Sequence, residues 1–109
     1  MRRGDIWIAS ANDGFGGKPR PIVIIQNTLS IALKNSVIAC LLTSETSDNP
    51  LLRINLQPNV ENGLQKTSDI QTDKIITFKK ERLIQKIGFI SSQQLETLDE
   101  SLKFWLGLS

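Results

Sequence analysis

The chain has 109 residues, of which 39% are hydrophobic and 22% are charged, and its formal net charge is +2. This length supports one hydrophobic core, so we expect a single domain spanning residues 1–109. The weak positive charge excludes a protein that coats nucleic acid over its whole surface, so any polyanion must be bound locally.

The absence of two residue types restricts the chemistry. The sequence contains no histidine and a single cysteine, Cys40, which excludes an internal disulfide, a zinc site of the usual Cys/His type and histidine-based catalysis. Cys40 lies within an apolar run and is expected to be a small buried side chain. No apolar run is long enough to cross a bilayer and the N-terminus lacks a signal-peptide core, so we expect a cytoplasmic protein.

Six short apolar and β-branched segments, separated by turn residues, predict strands. They cover residues 5–9, 21–26, 37–43, 51–56, 68–78 and 86–90. Residues 27–34 predict a short helical connection after the second strand. Because loops connect most of these segments, the predicted sheet is mostly antiparallel.

The last segment changes period and predicts an amphipathic helix. Ser91 and Gln94 have the spacing of a capping box at its start. The apolar residues that follow recur at spacings of three and four and fall on one face: Leu95, Leu98, Leu102, Trp105 and Leu106. We expect this helix to close one side of a small barrel, with Trp105 packed as part of its apolar stripe.

Three clusters of polar residues could carry chemistry. A glycine-rich loop over residues 12–19 leads to Arg20 at the start of a strand, Thr43 and Ser44 end another strand, and residues 68–74 supply hydroxyl, amide, carboxylate and amine groups. A permanently charged, planar guanidinium beside flexible backbone suits a phosphodiester. From residue types alone, solvated strand ends and turns remain the more common interpretation.

Several segments in order carry a family resemblance. They are Arg3-Gly4-Asp5-Ile6-Trp7, Arg20-Pro21 before an apolar strand, Leu42-Thr43-Ser44, Asp73-Lys74-Ile75-Ile76-Thr77 and Ile87-Gly88 before the last helix. With these segments the chain resembles the MazF/PemK family of toxins from bacterial toxin–antitoxin systems. The resemblance implies a mainly β fold with a C-terminal helix (α+β), an SH3-like small β-barrel of the MazF/PemK/CcdB type, that forms a homodimer.

The resemblance also implies an activity and site residues. The expected protein is an mRNA interferase, a sequence-selective endoribonuclease that cleaves single-stranded RNA without metal or cofactor and leaves a 2′,3′-cyclic phosphate and a 5′-hydroxyl. Arg20 and Thr43 match the family's catalytic pair, and Asp73 matches an acidic position that could be the general base. The expected RNA contacts are Asn12, Phe15, Lys18, Ser44, Ser68, Gln71 and Lys74.

The expected partner is a cognate antitoxin of the MazE/PemI kind, whose disordered, acidic C-terminal segment would cover the RNA groove, with Lys18, Arg20 and Lys74 as its contacts. Two alternatives stay open. A CcdB-type gyrase poison is suggested by the tryptophan near the C-terminus, Trp105. A catalytically inactive SH3-like binding module is suggested by the first loop, which reads Gly14-Phe15-Gly16-Gly17 where many relatives have Gly-x-Glu, and by Gln71, which stands where some relatives have arginine.

Overall fold

The computed structural model describes residues 1–10, 18–47 and 53–109. Its strands and helix are β1 (Asp5–Ala9), β2 (Arg20–Ile24), β3 (Ser36–Thr43), β4 (Arg53–Leu56), β5 (Ser68–Lys79), β6 (Leu83–Phe89) and α1 (Ser92–Leu106). Two short 3-10 helices, Thr28–Leu33 and Lys80–Arg82, follow β2 and β5. The strands form one sheet in the order β4-β5-β3-β2-β1-β6, and every neighbouring pair is antiparallel.

Two strand boundaries in the described ranges differ by more than one residue from the sequence prediction. β2 ends at Ile24 rather than at residue 26, because the amides of Ile25 and Gln26 both donate to the carbonyl of Ile38 and the regular ladder stops there. β6 begins at Leu83, three residues before the predicted start, because Leu83 pairs with Ala9 on β1. Pairing with the neighbouring strand, which local sequence does not reveal, therefore sets the end of β2 and the start of β6.

The main core lies between one face of the sheet and α1. Apolar side chains from five strands pack there against Leu98 and Leu102 of the helix. The helix begins as predicted, since the Ser91 hydroxyl accepts from the Gln94 amide at 3.1 Å and the Gln94 side chain accepts from the Ser91 amide at 2.9 Å. Leu106, which was expected on the buried stripe, is exposed because the helix ends there and turns at Gly107.

The opposite face of the sheet carries two smaller apolar clusters. One is built around Ile22, Leu41 and Phe78, and the other around Ile24 and Val37 beneath the 3-10 helix that follows β2. Trp7 and Leu83 pack against both clusters. Because both faces of the central strands are buried, those strands read as continuous apolar runs rather than as alternating patterns.

The loop between β4 and β5 crosses to the far edge of the sheet. The carbonyl of Glu61 accepts from the amide of Phe89 on β6 at 3.0 Å. The buried side chain of Asn62 organises the loop by accepting from the amides of Asn59 and Leu64. A Cβ atom at Gly88 would lie 2.2 Å from the Glu61 carbonyl oxygen, so the contact requires glycine there.

This loop bridges the two edge strands, β4 and β6, which are not paired with each other in the described residues. The architecture is the mainly β, barrel-like class with a C-terminal helix that was expected. Within the described ranges, no helix has the length and apolar character needed to cross a membrane.

Candidate active site

A groove opens where the start of β2, the end of β3 and the loop after β4 meet. Its volume is about 690 Å³. The polar residues that line it include Lys18, Arg20, Thr43, Ser44, Lys66 and Ser68. The loop that crosses to β6 forms one wall of the groove through Gly63 and Leu64, so the buried Asn62 holds that wall in place.

Strand register places Arg20 beside Thr43. On β2 and β3, Ile22 pairs with Leu41 and Ile24 pairs with Ala39. Extending this antiparallel register by one more pair on the same face sets Arg20 opposite Thr43. Directly opposed residues of neighbouring strands point to the same face of the sheet, and both side chains line the groove.

The hydroxyl of Thr43 has a defined hydrogen-bonding state. Its Oγ1 accepts from the amide of Glu45 at 3.1 Å. A threonine hydroxyl is both donor and acceptor, so this contact occupies an acceptor position and leaves the O–H free to donate. Thr43 is half-buried, which leaves that O–H accessible to a ligand in the groove.

The groove is suited to an anion. Its described lining contains three basic side chains, Lys18, Arg20 and Lys66, and no acidic one. Arg20 and Lys18 are exposed and have no hydrogen bond or ion pair with other described residues that would consume their charge. A guanidinium fork and a hydroxyl on neighbouring strands can together donate three hydrogen bonds to the non-bridging oxygens of one phosphate.

No group of three or more His, Cys, Asp or Glu residues that could hold a metal ion occurs in the described ranges. The donor set of the groove is made of cations and hydroxyls, which do not suit a divalent cation. Cys40 lies in the core with its side chain fully buried, as expected.

Comparison with known proteins agrees with this site. The family model described as PemK-like, MazF-like toxin of type II toxin–antitoxin system matches residues 2–106. A Mycolicibacterium smegmatis protein named "Probable endoribonuclease MazF" is 36% identical over 109 residues, covering 100% of this chain and 99% of that protein.

The chain belongs to the PemK-like, MazF-like toxin family.

Solved structures of this toxin family share its fold. An endoribonuclease from a mycobacterial species, in complex with its cognate antitoxin, superposes with a TM-score of 0.82 at 22% identity, covering 100% of this chain and 97% of that one. For the Mycobacterium tuberculosis toxin MazF-mt6 the TM-score is 0.80 at 21% identity, with 96% and 98% covered. The expected family, fold class and class of activity, an endoribonuclease toxin, are therefore confirmed.

The structure brings together part of the residue set expected from this toxin family. Lys18, Arg20, Thr43, Ser44 and Ser68 all line the groove. Ser68 is buried and its hydroxyl donates to the carbonyl of Lys66 at 3.0 Å, so it supports the groove wall. Asn12 and Phe15 lie outside the described residues, and their expected RNA contacts stay predictions.

The other expected residues of the toxin site, Gln71, Asp73 and Lys74, lie on β5 but are not among the described residues that line the groove. Ile70 pairs with Leu42 and Ile75 pairs with Cys40, so four residues of β5 stand opposite one residue of β3. An insertion of this kind bends a strand and interrupts its ladder. Roles for these three residues stay predictions.

Sequence reasoning about this toxin missed two groups of residues. Lys66 lines the groove although it belongs to a loop read only as a turn. Asp69 is fully buried on β5 directly opposite Thr43, and Arg53 and Asn55 on β4 contact it. A carboxylate next to an apolar strand segment was a usable signal, because a buried charge requires partners.

Proposed function

We propose that this toxin cleaves single-stranded RNA at a recurring short sequence without a metal ion, with Arg20 and Thr43 as its catalytic pair. The observation that carries the proposal is their juxtaposition on neighbouring strands in a groove whose described lining holds three cations and no acid. Membership of the family indicates the class of reaction, and the arrangement of side chains in the groove is suited to it.

In the proposed reaction the substrate provides its own nucleophile. The 2′-oxygen forms a bond to phosphorus while the bond from phosphorus to the 5′-oxygen breaks, which leaves a 2′,3′-cyclic phosphate and a 5′-hydroxyl. The 2′-hydroxyl loses its proton to a base, and the departing 5′-oxygen gains one from solvent water. Because the nucleophile belongs to the substrate, the protein's part besides the base is to orient the chain and stabilise the phosphorane.

Arg20 and Thr43 would act by electrostatic stabilisation. The two N–H groups of the guanidinium fork and the Thr43 hydroxyl donate to the non-bridging oxygens, where negative charge grows in the transition state. An arginine is permanently charged in proteins, so we assign it stabilisation of charge rather than transfer of a proton.

Asp73 is our candidate for the base, on the family resemblance. It is exposed on β5 outside the described lining of the groove, so this role requires that the RNA extend from the groove towards residues 71–74. Gln71 and Lys74, on the same stretch, would then contact the flanking nucleotides.

We further propose that the toxin is a cytoplasmic homodimer, inhibited by a cognate antitoxin whose acidic segment occupies the basic groove. The mycobacterial and Deinococcus radiodurans relatives have been solved in complex with antitoxins. The gyrase-poison alternative relied on Trp105, but this indole is half-buried and its nitrogen donates to Thr72 at 2.9 Å. No observation on the described residues favours that alternative.

The test is cleavage of a long single-stranded RNA in EDTA, with the ends of the products mapped chemically. The wild type should cut at a recurring sequence and leave cyclic phosphates, and a 2′-O-methyl group at the cut site should block the reaction. Arg20→Ala should lower kcat/KM by about 100-fold or more, as the loss of an oxyanion donor does elsewhere. Arg20→Lys should retain part of the activity, because it keeps the charge and loses the fork.

The matched control is Arg2→Ala, which removes an exposed arginine near the other end of β2, where the amide of Gly4 donates to Ile24. It should leave cleavage unchanged. Asp73→Asn should lower kcat if Asp73 is the base. Cleavage that needs added Mg²⁺, or full activity of Arg20→Ala, would contradict the proposal, and RNA binding without cleavage would indicate the inactive binding module.

A further inference from the structure

Asp69 is an aspartate whose side chain is fully buried at the edge of the groove. Its Oδ2 accepts from the amide of Ser47 at 2.7 Å, and its Oδ1 accepts from Asn55 Nδ2 at 3.0 Å. Arg53 Nη1 lies 3.9 Å from Oδ2. Each of these three partners is a donor, which is the arrangement that lets a buried charge persist.

The same contacts hold the turn formed by residues 43–47. Asp69 pairs with Thr43 across the strands and binds the amide of Ser47, so it holds both ends of the turn. Arg53 Nη1 donates to the carbonyl of Glu45 at 3.0 Å, which fixes the middle. The amide of Glu45 then donates to Thr43 Oγ1 at 3.1 Å, so the network ends on the catalytic hydroxyl.

We propose that Asp69 is a positioning residue for the reaction, acting through Arg53 and the 43–47 turn to aim the Thr43 hydroxyl into the groove. With the turn held, the amide of Glu45 occupies an acceptor position on Oγ1, and the O–H points towards the phosphate opposite Arg20. This inference rests on the proposed function, because it assigns Thr43 a donor role in catalysis.

Donor and acceptor matching gives a sharp test. In Asp69→Asn, the new amide nitrogen faces either Asn55 Nδ2 or the amide of Ser47, so that donor meets donor. Asn55 is held in this orientation because its Oδ1 accepts from Gln57 Nε2 at 2.8 Å. Asn55→Asp, at an exposed position, instead sets two carboxylates against each other. In the double variant Asn55→Asp/Asp69→Asn, the new amide can donate to the new carboxylate while its oxygen still accepts from Ser47. Each single variant should be impaired and the double variant restored.

The kinetic readout is kcat and KM on a short RNA carrying a mapped cleavage site. Asp69→Asn should lower kcat about tenfold with little change in KM, because misplacing a catalytic group by less than about an ångström costs rate rather than binding. In a Thr43→Ala background the same substitution should change kcat less than about twofold, since residues that act as a unit are not additive. The matched control is Asp99→Asn, which breaks the ion pair between Arg3, before β1, and Asp99 on α1. This variant should leave kcat unchanged.

A second readout does not depend on activity. In Asp69→Asn the amide protons of Glu45 and Ser47 should lose protection against hydrogen exchange, while those of the sheet core keep it, and the double variant should recover it. An equal fall of kcat with and without Thr43 would overturn the positioning role, as would a double variant no better than the singles. If the wild type does not cleave RNA, the proposed function fails while the exchange data still report whether Asp69 holds the turn.

Discussion

At the scale of single residues, burial controls the chemistry of Cys40. Its side chain is fully buried among apolar groups, and this burial, reinforced by the negative charge of Asp73 and opposed by Arg3, raises the pKa of the thiol from 9.0 to about 12. The thiolate is the reactive form of cysteine. Cys40 is therefore inert near neutral pH, which fits a purely structural role.

We predict that Cys40 resists alkylation in the folded protein. At pH 9 the reactive thiolate should be about 500-fold less populated than in the unfolded chain, because the pKa is raised from 9.0 to about 12. The measurement is the rate of iodoacetamide labelling with and without guanidinium. Rapid labelling under native conditions would show that the strand around Cys40 opens readily.

The same shift makes stability depend on alkaline pH. The folded state holds the thiol proton more tightly than the unfolded state. The contribution of the protonated Cys40 thiol to the free energy of unfolding is therefore fully present below pH 9 and is lost as pH rises towards about 12. Cys40→Ala serves as the control, because it removes this part of the pH dependence while leaving that of the other groups. Denaturant titrations at several alkaline pH values measure the difference.

At the scale of elements, one threonine joins the helix to the sheet. Thr72 is fully buried on β5, and its Oγ1 accepts from Ser101 Oγ at 2.8 Å and from Trp105 Nε1 at 2.9 Å. Thr72 points towards α1. Asp69 on the same strand, and Thr43 opposite it on β3, point to the other face of the sheet. β5 therefore contacts α1 with one face and supports the groove residue Thr43 with the other.

We predict that Thr72→Val destabilises the protein by about 1–3 kcal/mol, because the substitution keeps the shape and leaves two half-buried donors without this acceptor. Chemical denaturation measures the loss in the free energy of unfolding. Ser91→Ala is a useful comparison, since removal of an N-cap costs about 1 kcal/mol at the exposed end of the same helix. A Thr72→Val protein as stable as wild type would mean that the helix is held by apolar packing alone.

At the scale of the whole molecule, a small net charge is distributed unevenly. The chain carries a formal charge of +2, yet three cations and no acid occur in the described lining of one groove. Some acidic side chains elsewhere are paired with basic ones, as Asp5 is with Lys86 at 3.4 Å and Asp99 is with Arg3 at 2.6 Å. The protein can therefore attract a polyanion at one place without binding nucleic acid over its whole surface.

We predict that Lys66 contributes one ionic contact to RNA. Lys66→Ala should weaken binding and reduce the slope of log K against log salt by about 0.7, the value for one phosphate contact on a single strand. The control is Lys34→Ala, an exposed lysine after the 3-10 helix Thr28–Leu33, beyond the other end of β2. Fluorescence anisotropy with 2′-O-methyl RNA avoids cleavage. Equal slopes for both variants would place the RNA away from this wall.

Much of the molecule could be predicted from the sequence, because local patterns determine it. The six strands, the short helical connection and the capping box at Ser91 depend on residue types within a few positions. Arg20 and Thr43 were also identified from sequence, through segments whose order and residues match a toxin family. These features need no knowledge of which strands become neighbours.

Only the tertiary structure decided which residues share the groove. The insertion between Ile70 and Ile75 changes the pairing of β5, so Asp73 and Lys74 fall outside the groove lining while Asp69 stands opposite Thr43. Lys66 joins the site because its loop crosses the sheet to β6, an encounter between segments far apart in the chain. The sequence by itself determined the elements and indicated Arg20 and Thr43 as the proposed catalytic pair, and long-range register, which no local pattern encodes, decided their partners.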